Sequence, residues 1–279
     1  MAVVTRHVDV RGAGVVVPLR DPVFVAEDWS MVDRLTGGRA GIAFSPGWVR
    51  KDFALGDVPY DERGARMLAA VEAFRRLWRG ESIERETTAG GAAVLELASR
   101  PVQPEAPVWI SVVDDRELFA EAGRIGAGVL VHVLGQPLGE LRDLVNAYRD
   151  AWRPTGVPAR PHVTAVVHAY VAAEGEDVVE IVRPAFVSSL RTYASMWLGS
   201  LVPTGADDAD LADRDFEFLA ERAFARALES SALLGPAAVV ADRLAALREA
   251  GVDEVGCLVD FGLERALVVE GIRRLAALR

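Results

Sequence analysis

Four histidines, one cysteine and a few polar residues at the ends of apolar runs hold most of the chemistry that this sequence offers. His132 lies in the run Gly128–Leu134 (GVLVHVL), near its carboxyl end and on the strand face shared with Leu130 and Leu134. An imidazole at that point would bind a ligand or act as a proton donor close to neutral pH. It would serve equally as a buried ring satisfied by its neighbours. His162 and His168 stand six residues apart on one face of a second run, His162–Val171 (HVTAVVHAYV). His168 shares its face with Thr164, Val166 and Tyr170 and reads more readily as core than as site. No third histidine or carboxylate stands at ligand spacing, so no metal site is expected. Cys257, between Gly256 and Leu258, reads as a small core residue. Gly199-Ser200 falls in a polar stretch rather than on a strand-to-helix turn, which gives hydrolase chemistry no support. A last feature is the stretch GRAGIAFSPGW, residues 38–48. Its alternating run Ala40–Phe44 stops at Ser45-Pro46-Gly47, where neither a helix nor a ladder continues, and then presents Trp48.

Strand and helix patterns alternate around these residues. His7–Val17 reads as a strand and Pro22–Leu35 as a helix closed by Gly37-Gly38. The run from Ala40 gives the next strand, and Tyr60–Trp78 its helix, with Met67, Val71, Phe74 and Trp78 along one face. Residues 81–107 form an excursion: two short extended pieces around Gly90-Gly91, then Pro101, Pro104 and Pro107. The alternation resumes with strands at Val108–Val113, Gly128–Leu134, His162–Val171 and Glu254–Phe261. Helices are expected at Glu117–Ile125, Leu138–Trp152, from Asp177 to about Leu198, at Phe216–Ser230, at Ala237–Ala250 and from Glu264. Residues 199–215, with Gly, Pro and several Asp, predict a mobile loop inside one domain spanning 1–279.

Strands apolar on both faces and joined by helices indicate an α/β fold with a parallel sheet, either doubly wound or barrel-like. Gly12-Ala13-Gly14 sits within the first strand instead of opening a helix, so it does not read as a dinucleotide turn. Barrel chemistry gathers where strands end in loops at the carboxyl face. Here those ends are polar: Leu19-Arg20-Asp21, Ser45-Pro46-Gly47-Trp48, Asp114-Asp115, His132–Gln136, His168–Tyr170 and Asp260. The totals agree with a packed cytoplasmic protein. The chain has 279 residues, 51% of them hydrophobic, with one cysteine and no apolar run of membrane-spanning length. A net charge of -10 argues against a nucleic-acid partner.

Five stretches in order, PLRDPVFVAEDWSMVDRLTGGRAGIAFSPGW, RRLWRGE, RPVQPEAPVWIS, GVLVHVLGQ and GVDEVGCLVDFG, resemble the luciferase-like flavin monooxygenases. The resemblance covers nearly the whole chain. It is to the FMN-dependent branch found beside or within natural-product assembly lines. It implies a TIM-barrel-like (β/α)8 fold, here incomplete, with about six parallel strands. It also implies reduced FMN at the carboxyl face, supplied by a separate flavin reductase. Oxygen then gives a flavin C4a-hydroperoxide, shielded from water while a small-molecule or carrier-bound intermediate is oxygenated. In these terms Ser45, Gly47, Trp48, Ser111, Val113 and Asp114 would contact the flavin, and His132 would be catalytic. The stop at Ser45-Pro46-Gly47 is then either a simple turn or a backbone cleared of bulk for a planar ring.

The sequence departs from the family at several points. Two strand-helix units usual ahead of the strand at His7 are not seen, which would leave open sheet edges; either a partner chain supplies the missing strands, or the start is misplaced, or the shortened fold survives by dimerising or by local repair. Asp114-Asp115 stands where relatives carry Gly-Asn or Gly-Ser beside the flavin phosphate, Arg20-Asp21 replaces two histidines, and Gly64 replaces a larger residue. An alternative reading follows: a barrel relative that has lost catalysis and serves as a binding or assembly subunit.

Overall fold

A computed structural model describes residues 1–133, 136–155, 158–201 and 213–278. In chain order the elements are β1 (Val10–Val16), α1 (Pro22–Thr36), β2 (Ala40–Ser45), α2 (Arg63–Trp78), β3 (Ile83–Glu86), β4 (Ala92–Leu95), β5 (Val108–Val112), α3 (Arg116–Arg124), β6 (Gly128–His132), α4 (Leu138–Ala151), β7 (Val163–Ala172), α5 (Val178–Leu201), α6 (Asp213–Arg226), β8 (Leu233–Pro236), α7 (Ala237–Glu249), β9 (Glu254–Leu258) and α8 (Arg265–Ala276). The fold is α/β, as expected. All six expected strands are present, and β8 adds a seventh to the main sheet among the described residues. No helix among those residues is long and apolar enough to cross a membrane. Contacts divide the chain into two compact units, described in turn. The first holds Met1–Val112, Glu117–Leu130 and Tyr148–Pro161, and the second holds Val113–Arg116, Val131–Ala147 and His162–Arg279.

In the first unit β1 pairs in parallel with β2, and β2 with β5. Asp21 starts α1 by accepting from the Val23 N–H at 2.9 Å, Pro22 occupies the first turn, and Gly37 at φ 69° ends the helix. Gly12 inside β1 has a packing reason. A Cβ on Gly12 would lie 2.3 Å from the Trp29 ring of α1, whose indole N–H donates to the Gly41 carbonyl at 3.1 Å. The ladder is irregular between Gly12 and Val15, where Gly14 takes φ 84°. Met67, Val71, Phe74 and Trp78 form the buried face of α2, with Phe74 edge-on to Phe44 of β2 at 5.1 Å. The 81–107 excursion contains the antiparallel β3–β4 hairpin and is then tied down by Asp33 of α1. That fully buried carboxylate accepts from the Val102 N–H at 2.7 Å, the Gln103 N–H at 2.9 Å and Gln103 Nε2 at 2.7 Å.

In the second unit β7 carries two partners along one edge, β9 at Thr164–His168 and β8 at Ala169–Ala172, both parallel. Strand β8 escapes a sequence reading because LLGP is four residues long and includes Gly235 at φ 151° and Pro236. It is held through Arg243 of α7, which donates to the carbonyls of Leu228, Ala232 and Leu234. Asp177 caps α5 through the N–H groups of Val179 and Glu180. Tyr170, Val182, Phe186, Phe224, Leu234 and Phe261 form a buried cluster. Glu176 knots the end of β7 to α8, accepting from Tyr170 Oη at 3.1 Å and Arg274 Nη1 at 3.0 Å. Cys257 is a correction to the core reading: it is exposed on β9. The expected loop at 199–215 is helical at its ends, to Leu201 and from Asp213, and its middle, 202–212, lies outside the described residues, as does Leu134.

Candidate functional site

The residues singled out in the sequence fall into two groups, one in each unit. In the first unit β2 is buried up to Phe44 and ends at Ser45, whose Oγ accepts from the Gly47 N–H at 3.2 Å and closes the turn. Gly47 takes φ 83°, and a Cβ there would lie 2.7 Å from Val16 and 3.2 Å from Phe53. Protein packing alone therefore demands a glycine at this turn. Trp48, 42% exposed, follows with its carbonyl accepting from Tyr60 Oη at 3.0 Å. The Tyr60 ring lies against the guanidinium groups of Arg50 at 4.1 Å and Arg63 at 4.0 Å. The β2–β5 register, which ends at Phe44↔Ile110, sets Ser45 level with the buried Ser111 one step on. Two hydroxyls thus stand level on adjacent strands.

The same sheet holds a contact that the sequence did not announce. Arg11 lies 3.6 Å over the Trp109 ring, and Cβ atoms on Gly41 and Gly128 would meet that ring at 3.0 and 2.4 Å. The signal was the placement of glycines on the strands flanking a large aromatic residue. Arg20 and Asp21 border a groove of about 670 Å³ after β1, where Asp21 pairs with Arg85 at 3.3 Å. Gly64 faces open space.

In the second unit Val113 is 40% exposed and its carbonyl accepts from Gln136 Nε2 at 3.4 Å. Asp114 and Asp115 are both exposed and immediately precede α3. The half-buried His132 ends β6, and the next residue, Val133, donates its N–H to the Val166 carbonyl at 3.0 Å. Burial lowers the His132 pKa from its ordinary value, so its ring is neutral at pH 7 and acts there as a hydrogen-bonding group rather than an acid. The larger surprise is His168. Its ring is buried, 4.7 Å from Phe186 and 5.2 Å from Phe261, and its Nε2 has no hydrogen-bond partner. Burial first, then the nearby His132, lowers its pKa to about 4. Sequence reasoning placed His168 in the core, which holds for its burial but overlooks the unpaired nitrogen. Among the described residues no cluster of three or more His, Cys, Asp or Glu is arranged to hold a metal ion.

The two groups differ in what they offer a flavin. Hydroxyls and an indole at strand ends suit the polar edge and flat face of an isoalloxazine ring. The exposed carboxylates before α3 oppose a phosphate dianion.

Comparison with known proteins supplies context for this geometry. The sequence model described as luciferase-like monooxygenase matches residues 1–254. The oxygenase component of the flavin-dependent trigonelline monooxygenase of Acinetobacter baylyi is 25% identical over 270 residues, spanning 93% of this chain and 72% of that protein. Monooxygenase RslO1 from Streptomyces bottropensis superposes with a TM-score of 0.74 at 22% identity, over 99% of this chain and 78% of its own. The oxygenating constituent of 3,6-diketocamphane monooxygenase from Pseudomonas putida, solved with FMN, gives 0.69 at 15% identity over 98% and 79%. Coenzyme F420-dependent enzymes share the fold as well.

Proposed function

The chain belongs to the luciferase-like monooxygenase family, and from that premise we propose that it is the FMN-dependent oxygenase component of a two-component monooxygenase. A separate flavin reductase would supply the reduced cofactor in the cytoplasm. The observation that carries the reading is the match to the oxygenase component of trigonelline monooxygenase across 93% of this chain. The substrate class is a small or carrier-bound natural-product intermediate, and the chain would work as a homodimer or with a partner chain.

A bound reduced flavin supplies the activation of oxygen. The protein's part is placement and the exclusion of water. Ser45 and Ser111 would hold polar atoms of the ring, Gly47 and Trp48 would border it, and Val113 would pack against it. His132, neutral at pH 7, would accept a hydrogen bond or take up a proton. The test is direct. Purified protein mixed with oxidised FMN at roughly tens of micromolar and passed through a desalting column should retain flavin near one equivalent with a shifted absorption spectrum. Protein that emerges colourless would overturn the oxygenase reading. It would favour a binding or assembly subunit, which the carboxylates at Asp114 and Asp115 already support.

Asp114 gives a second expectation. Two unit charges 4 Å apart in water repel by about 1 kcal/mol, so Asp114→Asn should tighten FMN binding roughly fivefold at low salt. Riboflavin, which lacks the phosphate, should bind both proteins equally. An equal gain for both ligands would place Asp114 away from the phosphate.

A further inference from the structure

Arg20 and Asp57 both border the groove of about 670 Å³ that follows β1, and each is exposed. They differ from the other charges there. Asp21 is taken by Arg85 at 3.3 Å, and Arg66 by Glu62 at 3.0 Å. Among the described residues neither Arg20 nor Asp57 has an ion-pair or side-chain hydrogen-bond partner, and no ion pair joins the two. Yet their segments run side by side: a Cβ on Gly56 would lie 3.9 Å from Leu19 Cδ2, and Arg20 and Asp57 are the next residues on. One guanidinium and one carboxylate, both uncommitted, thus line a single recess.

The lining restricts which ligand fits. Beside the charges it is apolar, with Leu19 and Val58 from the loops and Ala69, Ala70 and Ala73 from α2. Short alanine side chains leave the recess unfilled, and its volume is that of a small-molecule site. A ligand with one charge would satisfy Arg20 or Asp57 and bring a like charge close to the other. A molecule that carries both charges close together on an apolar body satisfies the two at once. We propose that this groove binds a free apolar α-amino acid, its carboxylate on Arg20, its ammonium group on Asp57 and its side chain against Leu19 and the α2 alanines. The binding requires neither flavin nor oxygen, so its failure is distinguishable from failure of the oxygenase reading.

Leucine, isocaproate and isopentylamine are the probes: the second lacks the ammonium group, the third lacks the carboxylate, and both keep the apolar body. Calorimetric titration at low salt should show leucine bound roughly tenfold more tightly than either, a preference that shrinks as salt rises. In Arg20→Gln leucine should bind no better than isopentylamine. In Asp57→Asn it should bind no better than isocaproate. Both side chains are exposed, so thermal melts of the variants should match the wild type. No leucine binding at millimolar concentration, a wild-type preference near one, or a preference that survives either substitution overturns the proposal.

Discussion

Asp33→Ala is expected to destabilise the protein by about 2–4 kcal/mol, because it removes a fully buried carboxylate and leaves three part-buried donors without their acceptor. The carboxylate is fully buried and takes both the Val102 and Gln103 N–H groups on Oδ2 and the Gln103 amide on Oδ1. Gln103 Nε2 also donates to the Ala40 carbonyl at 2.7 Å, so the network reaches β2. Asp33→Asn should fall only partly short of that loss, since its amide NH₂ would face a donor. Urea denaturation of both variants is the check, and a change below about 1 kcal/mol for the alanine variant would show that water replaces the carboxylate.

Acid should weaken the fold through His168. Its pKa is about 4 in the folded protein against about 6.5 when the ring is free. The shift is downward, so the neutral buried ring contributes stability that is fully present above about pH 6.5 and is lost as pH falls through 4. Between those limits the unfolded chain binds a proton that the folded chain refuses. The shift corresponds to a loss of about 3 kcal/mol across that window. His132 acts in the same direction, its pKa also being lowered by burial. His168→Phe should flatten the stability curve between pH 7 and 4 by about that amount. Identical slopes for wild type and variant in denaturant titrations would contradict it.

The architecture was legible where the pattern is local. The apolar runs at Ala40–Phe44 and Val108–Val113 and the α2 face of Met67, Val71, Phe74 and Trp78 are written in short-range periodicity, and they fold as read, with Val113 falling just past the end of β5. Strand β8 was not legible, because it is only four residues long and its pairing partner, β7, lies more than sixty residues earlier in the chain. The role of Asp33 was likewise not legible, since its partners lie 69 and 70 residues away. At the site, the strand ends were readable as polar tips, and the Ser45–Gly47 turn is there. Why Gly47 must be glycine was not readable: the reason is Val16 and Phe53, which only the folded chain brings to it. His168 shows the same limit from the other side. Its strand position predicted burial, but whether a buried imidazole is paired depends on every element packed around it.

The most direct test of the oxygenase account is rapid mixing of the protein and reduced FMN with aerated buffer, followed by absorbance. The account predicts that bound flavin returns to its oxidised spectrum more slowly than free reduced FMN, and that His132→Ala alters this rate in protein that still binds flavin. Reoxidation at the free-flavin rate in the presence of excess protein would contradict it.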